Sequence, residues 1–370
     1  MKIINAHVHF ENISFIDEAK MTFQLLGFEK LNLLNPPLLR GTNTNPPAIC
    51  FKAKHPKDTY ISGGLDYSEI KGKENKEIEH LFLEQLLKLE KIGFDGIKIL
   101  ETKPNDKIYL CARDIPFPID SQIYMSFFNH IEKNQIPIFW HVADPAKFWD
   151  KKWFEGLPSD MRNHIKNERE WDYTDDSYPS KEEFHQKVGN ILERFPQLKV
   201  VFAHFYFLSS DLERLSSLLD KCPNVNLDLT PNSEIYSDLS KNYEKARDFF
   251  IKYQDRILYG DDALVANNIS VDNVALIRGF LETDKEFDNF MGEQDKVRGL
   301  KLPESVLKKI YSQNFLRIVG KKPKTLNIDL AKEECHRIGR VLEIKYNFSM
   351  AKNFGYQAEE FLKNIDMEAS

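Results

Sequence analysis

The sequence predicts an α/β fold: a (β/α)8, or TIM, barrel with a long insertion after its fifth strand and a helical C-terminal extension. Two observations carry that expectation. Eight short, largely apolar runs alternate with longer amphipathic stretches, and the series ends strand, then helix. Strands buried on both faces read as continuous apolar runs, and regular strand–helix alternation builds a parallel sheet. The length of 370 residues suits a decorated barrel better than a minimal one. An open, doubly wound sheet is the competing arrangement, and the count of eight favours closure.

The expected strands are Ile3–His9, Leu31–Leu34, Tyr60–Leu65, Gly96–Leu100, Ile136–Val142, Lys199–His204, Val225–Leu229 and Ile257–Gly260. Between them, apolar residues at helical spacing mark Ile16–Phe28, Asn75–Ile92, Asp120–Asn134, Lys181–Phe195, Ser209–Leu219 and Ser240–Tyr253. A last helix, Pro303–Ile318, has proline in its first turn. Three segments exceed a minimal barrel. Thr42–Lys57, with its proline breaks, reads as a loop over the second strand. Asp144–Ser180 is the insertion after strand five, rich in Trp, Lys and Asp. Lys321–Ser370 is a charged helical tail. The partition is a barrel over 1–320 and an extension over 321–370 packed on it.

Composition narrows the function. Hydrophobic residues make up 42% and include 27 Phe, enough for a large core. Charges of both signs are interspersed and leave a net −6, with no basic stripe for nucleic acid. No apolar run approaches the ~18 residues of a membrane helix, and MKIINAHVHF is too short and polar for a signal peptide. Cys50, Cys111, Cys222 and Cys335 lie far apart, as free thiols of a reducing cytoplasm do. The expected partner is a small molecule, and a homo-oligomer is compatible with the chain.

Polar residues at strand ends carry the chemistry. Residues two apart on a strand share a face, so Asn5, His7 and His9 are expected on one side and Ala6 and Val8 on the other. Two imidazoles on one face suit a divalent metal, although an isolated HxH is as often a pair of hydrogen-bonded core histidines. Strand five ends in His141, strand six in His204 and strand eight in Gly260-Asp261-Asp262. In a barrel these ends meet at one mouth, and five metal-type side chains converging there favour a metal site.

Those residues resemble a known family. Asn5-Ala6-His7-Val8-His9, His141, His204 and the GxD at Gly260–Asp262 are similar to the amidohydrolase superfamily. The likeness is to its amidohydrolase-related branch, which includes α-amino-β-carboxymuconate-ε-semialdehyde decarboxylase. The stretches Phe195–His204 and Leu302–Arg317 share it, so it spans about residues 1–320. The resemblance implies a metal held by His7, His9, His141 and Asp262, with His204 beside the water or substrate. It implies one divalent ion, Zn first and Mn second. Two-metal members instead carbamylate a lysine at the position of Lys98. Asp261 departs from the Ser or Thr more usual there.

The implied activity is metal-dependent hydrolysis of a small polar lactone, amide or ester, with Asp262 and His204 as catalytic residues. The alternatives are non-oxidative decarboxylation of a small carboxylic acid and a non-catalytic metal-binding barrel. Lys98, Trp149, Trp171 and Glu234 are candidate substrate contacts. Glu234 and Asp228 flank strand seven, where loop capping is the plainer role. The insertion, with Trp149, Trp153, Trp171 and Tyr173, is expected to fold over the mouth as a wall of the pocket, its competing role being an anchor elsewhere.

Overall fold

The computed structural model describes residues 1–232, 234–264, 271–289 and 296–369; Ser370, the last residue of the expected extension, lies outside them. The sheet strands are β1 (Ile3–His9), β2 (Phe28–Leu34), β3 (Thr59–Gly63), β4 (Gly96–Thr102), β5 (Ile138–Val142), β6 (Val200–Phe202), β7 (Val225–Asp228), β8 (Ile257–Leu258) and β9 (Ala263–Leu264). Each pairs in parallel with the next as far as β8, and β9 pairs with β1. β8 and β9 are two halves of the eighth barrel strand, broken at Tyr259–Asp262. Ala6 N donates to Tyr259 O at 3.0 Å and Asp262 N to His7 O at 3.0 Å, which closes the barrel across the break.

Alternation on the strands separates two apolar layers. Ile97, Ile99, Ile138, Trp140, Val200, Phe202, Val225 and Leu227 face the helices. Ile4, Ala6, Leu34, Tyr60, Phe139, Val201 and Leu258 fill the lumen, plugged below by Phe315 and Ile318 of the last barrel helix. β1 does not alternate as expected. Its register with β2 slips between Asn5 and Val8, a β-bulge that gives β1 one extra residue. Ala6 therefore packs in the lumen and Val8 in the outer layer, while Asn5 turns its amide to Asp261 Oδ1 at 2.6 Å. The bulge re-aims His7 and His9 toward the mouth, stacked above Ala6.

Several element expectations need correction. Thr42–Lys57 is not a loop: Asn45–Lys54 is a helix whose prolines occupy its first turn, where a missing N–H costs nothing. The first helix stops at Leu25, and Phe28 already belongs to β2. Between them Gly27 takes φ +89°, which glycine adopts without strain. The helix expected over Ser240–Tyr253 is two, Ile235–Lys241 and Tyr243–Lys252, broken at Asn242. Helix Val271–Glu282 and a hairpin, Glu286–Asp288 with Lys296–Arg298, follow the eighth strand and were not foreseen.

The tail forms two helices, Ile328–Tyr346 and Phe354–Ala369. They cross so closely that a Cβ at Gly355 would lie 2.3 Å from Gly339 N. Glu334 pairs with Lys88 at 2.8 Å, and Arg337 with Asp66 at 2.8 Å, joining the first tail helix to the barrel. Ala331, Cys335, Ala358 and Leu362 enter the outer core. Below the strands Lys52 is fully buried and pairs with Asp95 at 2.6 Å. Asp95 also accepts from Ile61 N and Lys324 N, so both oxygens of this buried carboxylate are hydrogen-bonded.

Glu101 is buried behind β4 and accepts from Tyr67 OH and from Leu100 N. Burial pushes its carboxyl above the usual range. A folded-state pKa raised in this way means that stability present below the ordinary carboxylate pKa is lost as pH rises through the folded value. Glu101→Gln removes that titration, so the melting temperature of the variant relative to wild type should rise between the ordinary carboxylate pKa of about 4.3 and neutrality. Parallel melting curves across that range would refute the reading.

Candidate active site

Three strand ends deliver the cluster. His7 and His9 come from β1, Asp262 from the turn between β8 and β9, and Asp228 from the end of β7. His7 is buried, and its Nδ1 lies 2.8 Å from Asp228 Oδ2. His9 Nδ1 donates to Leu34 O at 2.8 Å. A neutral imidazole that donates through Nδ1 has a bare lone pair on Nε2. The two Nε2 atoms are 3.3 Å apart, and Asp262 Oδ1 lies 3.3 Å from one and 3.1 Å from the other. Ligands of a tetrahedral ion at 2.0–2.1 Å stand about 3.3 Å apart, so this triangle has the edge length of a zinc site.

The electrostatics fit that role. Burial, with Lys98 close by, lowers the His7 pKa to about 4. Burial opposes the charge on Asp262, but His7, His9 and His204 outweigh it and hold the carboxyl well below its usual range. The same balance, led by His7, keeps Asp228 low. The site therefore presents a neutral His7 and charged carboxylates at neutral pH, as metal ligands must be. Asp262 takes φ +55°, a left-handed conformation that aspartate tolerates better than most residues.

His204 lies beside the cluster, its ring 5.7 Å from that of His7, and His141 lies beyond it. Their rings are 4.8 Å apart and nearly perpendicular. His141 does not join the His7–His9–Asp262 cluster; its Nε2 meets Asp144 Oδ1 at 3.1 Å. His204 donates its backbone N–H to Asp228 Oδ1, and its buried Nδ1 has no hydrogen-bond partner among the described residues. Burial, foremost, lowers both rings to about 4. His204 opens a run of four residues with positive φ, through Phe207. Such runs are rare without glycine. Here Tyr206 stacks between Phe202 and His185, Phe205 stacks on Phe250, and Phe207 stacks on His204.

A cavity of about 670 Å³ opens above these groups. Its floor is polar, with His7, His9, Lys98, His141, His204 and Asp262. Its wall is largely apolar, and the insertion supplies Phe148, Trp153, Leu157, Met161, Ile165 and Trp171. Lys98 is buried, stands 3.5 Å from His7 Nε2 and makes no ion pair among the described residues. Burial lowers its pKa to about 8. Trp149 is absent from the lining: its indole donates to Pro179 O at 3.1 Å and its ring meets Tyr173, within the insertion's own apolar cluster. Glu234 is also outside the lining and accepts from Lys147 N.

Sequence reasoning missed Asp228 as the partner of His7, and it missed Lys103, Asp144 and Phe207. Asp228 had a signal: it ends β7 in the register that directs polar side chains to the mouth. Asp261, beside the cluster, is buried with Oδ2 unpartnered among the described residues; burial raises its pKa to about 7.

A closed eight-stranded barrel with this His–His–Asp cluster at the C-terminal mouth of its strands has the architecture of a metal-dependent TIM-barrel enzyme. The chain belongs to the amidohydrolase family: residues 75–321 match the family's model. His141, His204 and Asp262 fall inside that match, and His7 and His9 precede it. No curated protein matches the sequence. Among solved structures the chain is similar to 2,6-dihydroxybenzoate decarboxylase from Rhizobium, with 14% identity, TM-score 0.53 and coverage of 86% of this chain and 98% of that one. A TIM-barrel protein from Bordetella bronchiseptica is similar at 13% identity and TM-score 0.52, with the same coverages. A protein named as a probable 2-pyrone-4,6-dicarboxylic acid hydrolase, from Acinetobacter baumannii, follows at 12%, TM-score 0.50, with 86% and 99% covered. At these identities the likeness establishes the fold. No described helix is long and apolar enough to cross a membrane.

If the triangle holds the ion, His7→Ala and Asp262→Ala should each lose bound divalent metal, measured by elemental analysis after desalting. Asp228→Asn should keep the metal but bind it about 10–100-fold more weakly, because Asp228 orients His7 from behind and is not part of the triangle. Wild-type metal affinity in Asp228→Asn would remove Asp228 from the site.

Proposed function

We propose that the chain is a metal-dependent hydrolase of a small polar lactone, amide or ester. The observation that carries this reading is the convergence of His7 Nε2, His9 Nε2 and Asp262 Oδ1 on one point, at edges of 3.1 to 3.3 Å. Three acceptors held that close repel one another unless a cation lies among them. Two imidazoles and a carboxylate at tetrahedral spacing suit Zn first and Mn second. His141, beyond His204, is the fourth ligand in this reading. One ion is favoured over two, with Lys98 as an uncarbamylated amine beside His7.

A divalent ion bound there supplies Lewis acidity and makes water nucleophilic at neutral pH. The remaining steps belong to the protein. Asp262 accepts the proton of the attacking water on its carboxylate and returns it to the leaving group. His204 presents the cavity-facing side of its ring to the water or to the carbonyl oxygen. Lys98 offers a cation to a substrate acid group, and Trp171 and Trp153 wall the substrate body. Four free thiols fit a reducing compartment, and we place the enzyme in the cytoplasm.

Decarboxylation of a small carboxylic acid is the second reading. The apolar wall of Phe148, Trp153 and Trp171 above Lys98 favours it, since a flat acid would meet a cation at one end and indole faces along its length. The similar Rhizobium structure is named as a decarboxylase, an analogy of fold and not of site. A screen of lactones and aromatic acids with and without chelator separates the two, by acid release or by CO2 release.

His204 separates ligand from catalytic partner. His204→Asn should retain its metal while turnover falls by about 10²–10⁴. His141→Ala should lose metal and turnover together. Metal loss in His204→Asn as complete as in His141→Ala would make His204 a ligand instead.

A further inference from the structure

The three histidines proposed as ligands are anchored differently. His7 and His9 are each tied through Nδ1, to Asp228 and to Leu34 O, and present Nε2 to the cluster. His141 is tied through the other nitrogen: its Nε2 meets Asp144 Oδ1 at 3.1 Å. A ring tied at Nε2 has only Nδ1 left to offer.

Asp144 is itself held from several sides. It is buried at the cavity floor, just past β5, where the insertion begins. Lys103 Nζ donates to both of its oxygens, at 2.8 and 2.7 Å. Tyr173 OH, from the far end of the insertion, donates to Oδ2 at 2.6 Å. Lys103 also lies 4.8 Å from the Trp171 ring centroid, and the Trp171 indole donates to Asp106 Oδ2 at 3.1 Å. The carboxylate that touches His141 is thus fixed by the loop after β4 and by both ends of the insertion that walls the cavity.

We propose that Asp144 is the positioning residue for His141: it holds Nε2–H so that Nδ1 faces the metal, and it ties the insertion to the metal centre. This rests on the metal reading of the site. The opposite arrangement is also chemically sensible, with His141 binding through Nε2 and Asp144 competing for that nitrogen. The two differ in sign. An orienting carboxylate strengthens metal binding and a competitor weakens it.

The experiment measures Zn2+ affinity by competition with a chromophoric chelator, for wild type, Asp144→Asn and Tyr173→Phe, with melting temperatures of the metal-free proteins alongside. Tyr173→Phe touches neither His141 nor the cluster and leaves the Lys103–Asp144 pair intact, so it decides the matter even where Asp144→Asn fails to fold. Expected are losses of about 10–100-fold for Asp144→Asn and a smaller, several-fold loss for Tyr173→Phe, with metal-free melting unchanged in the latter. In Cd2+-loaded protein with 15N-labelled histidine, His141 should couple to the metal through Nδ1 while His7 and His9 couple through Nε2. Unchanged or tighter Zn2+ binding in the folded variants, or coupling of His141 through Nε2, overturns the proposal. A wild-type protein that binds no Zn2+ overturns the metal reading as well, which distinguishes the two failures.

Discussion

Three electron-rich atoms held about one tetrahedral edge apart, in a mouth lined by packed side chains, is the constraint on which the rest of the structure depends. Water could relax such a cluster by hydrogen-bonding each atom separately. Here the freedom to relax has been removed. Asp228 and Leu34 O fix the two imidazoles from behind, and the hydrogen bond from Asp262 N to His7 O fixes the aspartate backbone to the same strand. The cost of convergence is thereby borne by the fold, and the three atoms stand in place as a group that could hold a cation. A neutral His7 opposite a charged Asp262 completes that preparation, because neither has to lose a proton at neutral pH.

Departures from regular geometry gather where this preparation is made. β1 carries a bulge just before His7. The eighth strand is broken so that Asp262 can turn inward at positive φ. The chain from His204 to Phe207 runs left-handed, at of order 1–3 kcal/mol for each such residue. Each irregularity is held in place by something regular nearby. The broken strand is bridged by two backbone hydrogen bonds, and the left-handed turn by aromatic stacking of Phe205, Tyr206 and Phe207 on separate neighbours. Away from the mouth the strands alternate between lumen and outer core, with a register shift at Ile3–Ile4 of β1 as an exception.

This division explains what was legible in the sequence. The strand count, the barrel and the long helices were legible because periodicity records burial, and the barrel's burial is regular. His7, His9, His141, His204 and Asp262 could be singled out because each sits where an apolar run ends. Their mutual arrangement was not legible. A bulge leaves the composition of β1 unchanged, so Asn5 could be assigned to the face of His7 by simple alternation. Asp228 looked like a loop cap because its partner, His7, is more than two hundred residues away in the chain. Asn45–Lys54 read as a loop because adjacent prolines break a helix interior, whereas here they start one. Trp149 and Trp171 look alike in sequence, yet one indole turns into the insertion's own cluster and the other faces the cavity.

The cavity joins two parts with different physical origins. Its floor is made by strand ends, whose spacing is set by the hydrogen-bond geometry of a closed sheet and tolerates little variation. Its wall is made by an insertion with its own small apolar core of Phe148, Phe154 and Tyr173, which can change sequence without disturbing strand pairing. The floor is therefore constrained by the fold, and the wall is free to vary. The two parts meet at one buried group of charges. Lys103, Asp144 and Tyr173 link the loop after β4, the start of the insertion and its end, directly beside His141. An ion pair so deeply buried contributes little net stability, since desolvation offsets most of its attraction. What it does supply is a fixed direction: with Lys103 on both oxygens of Asp144, the insertion has one seating on the barrel, and the wall is held in register with the floor.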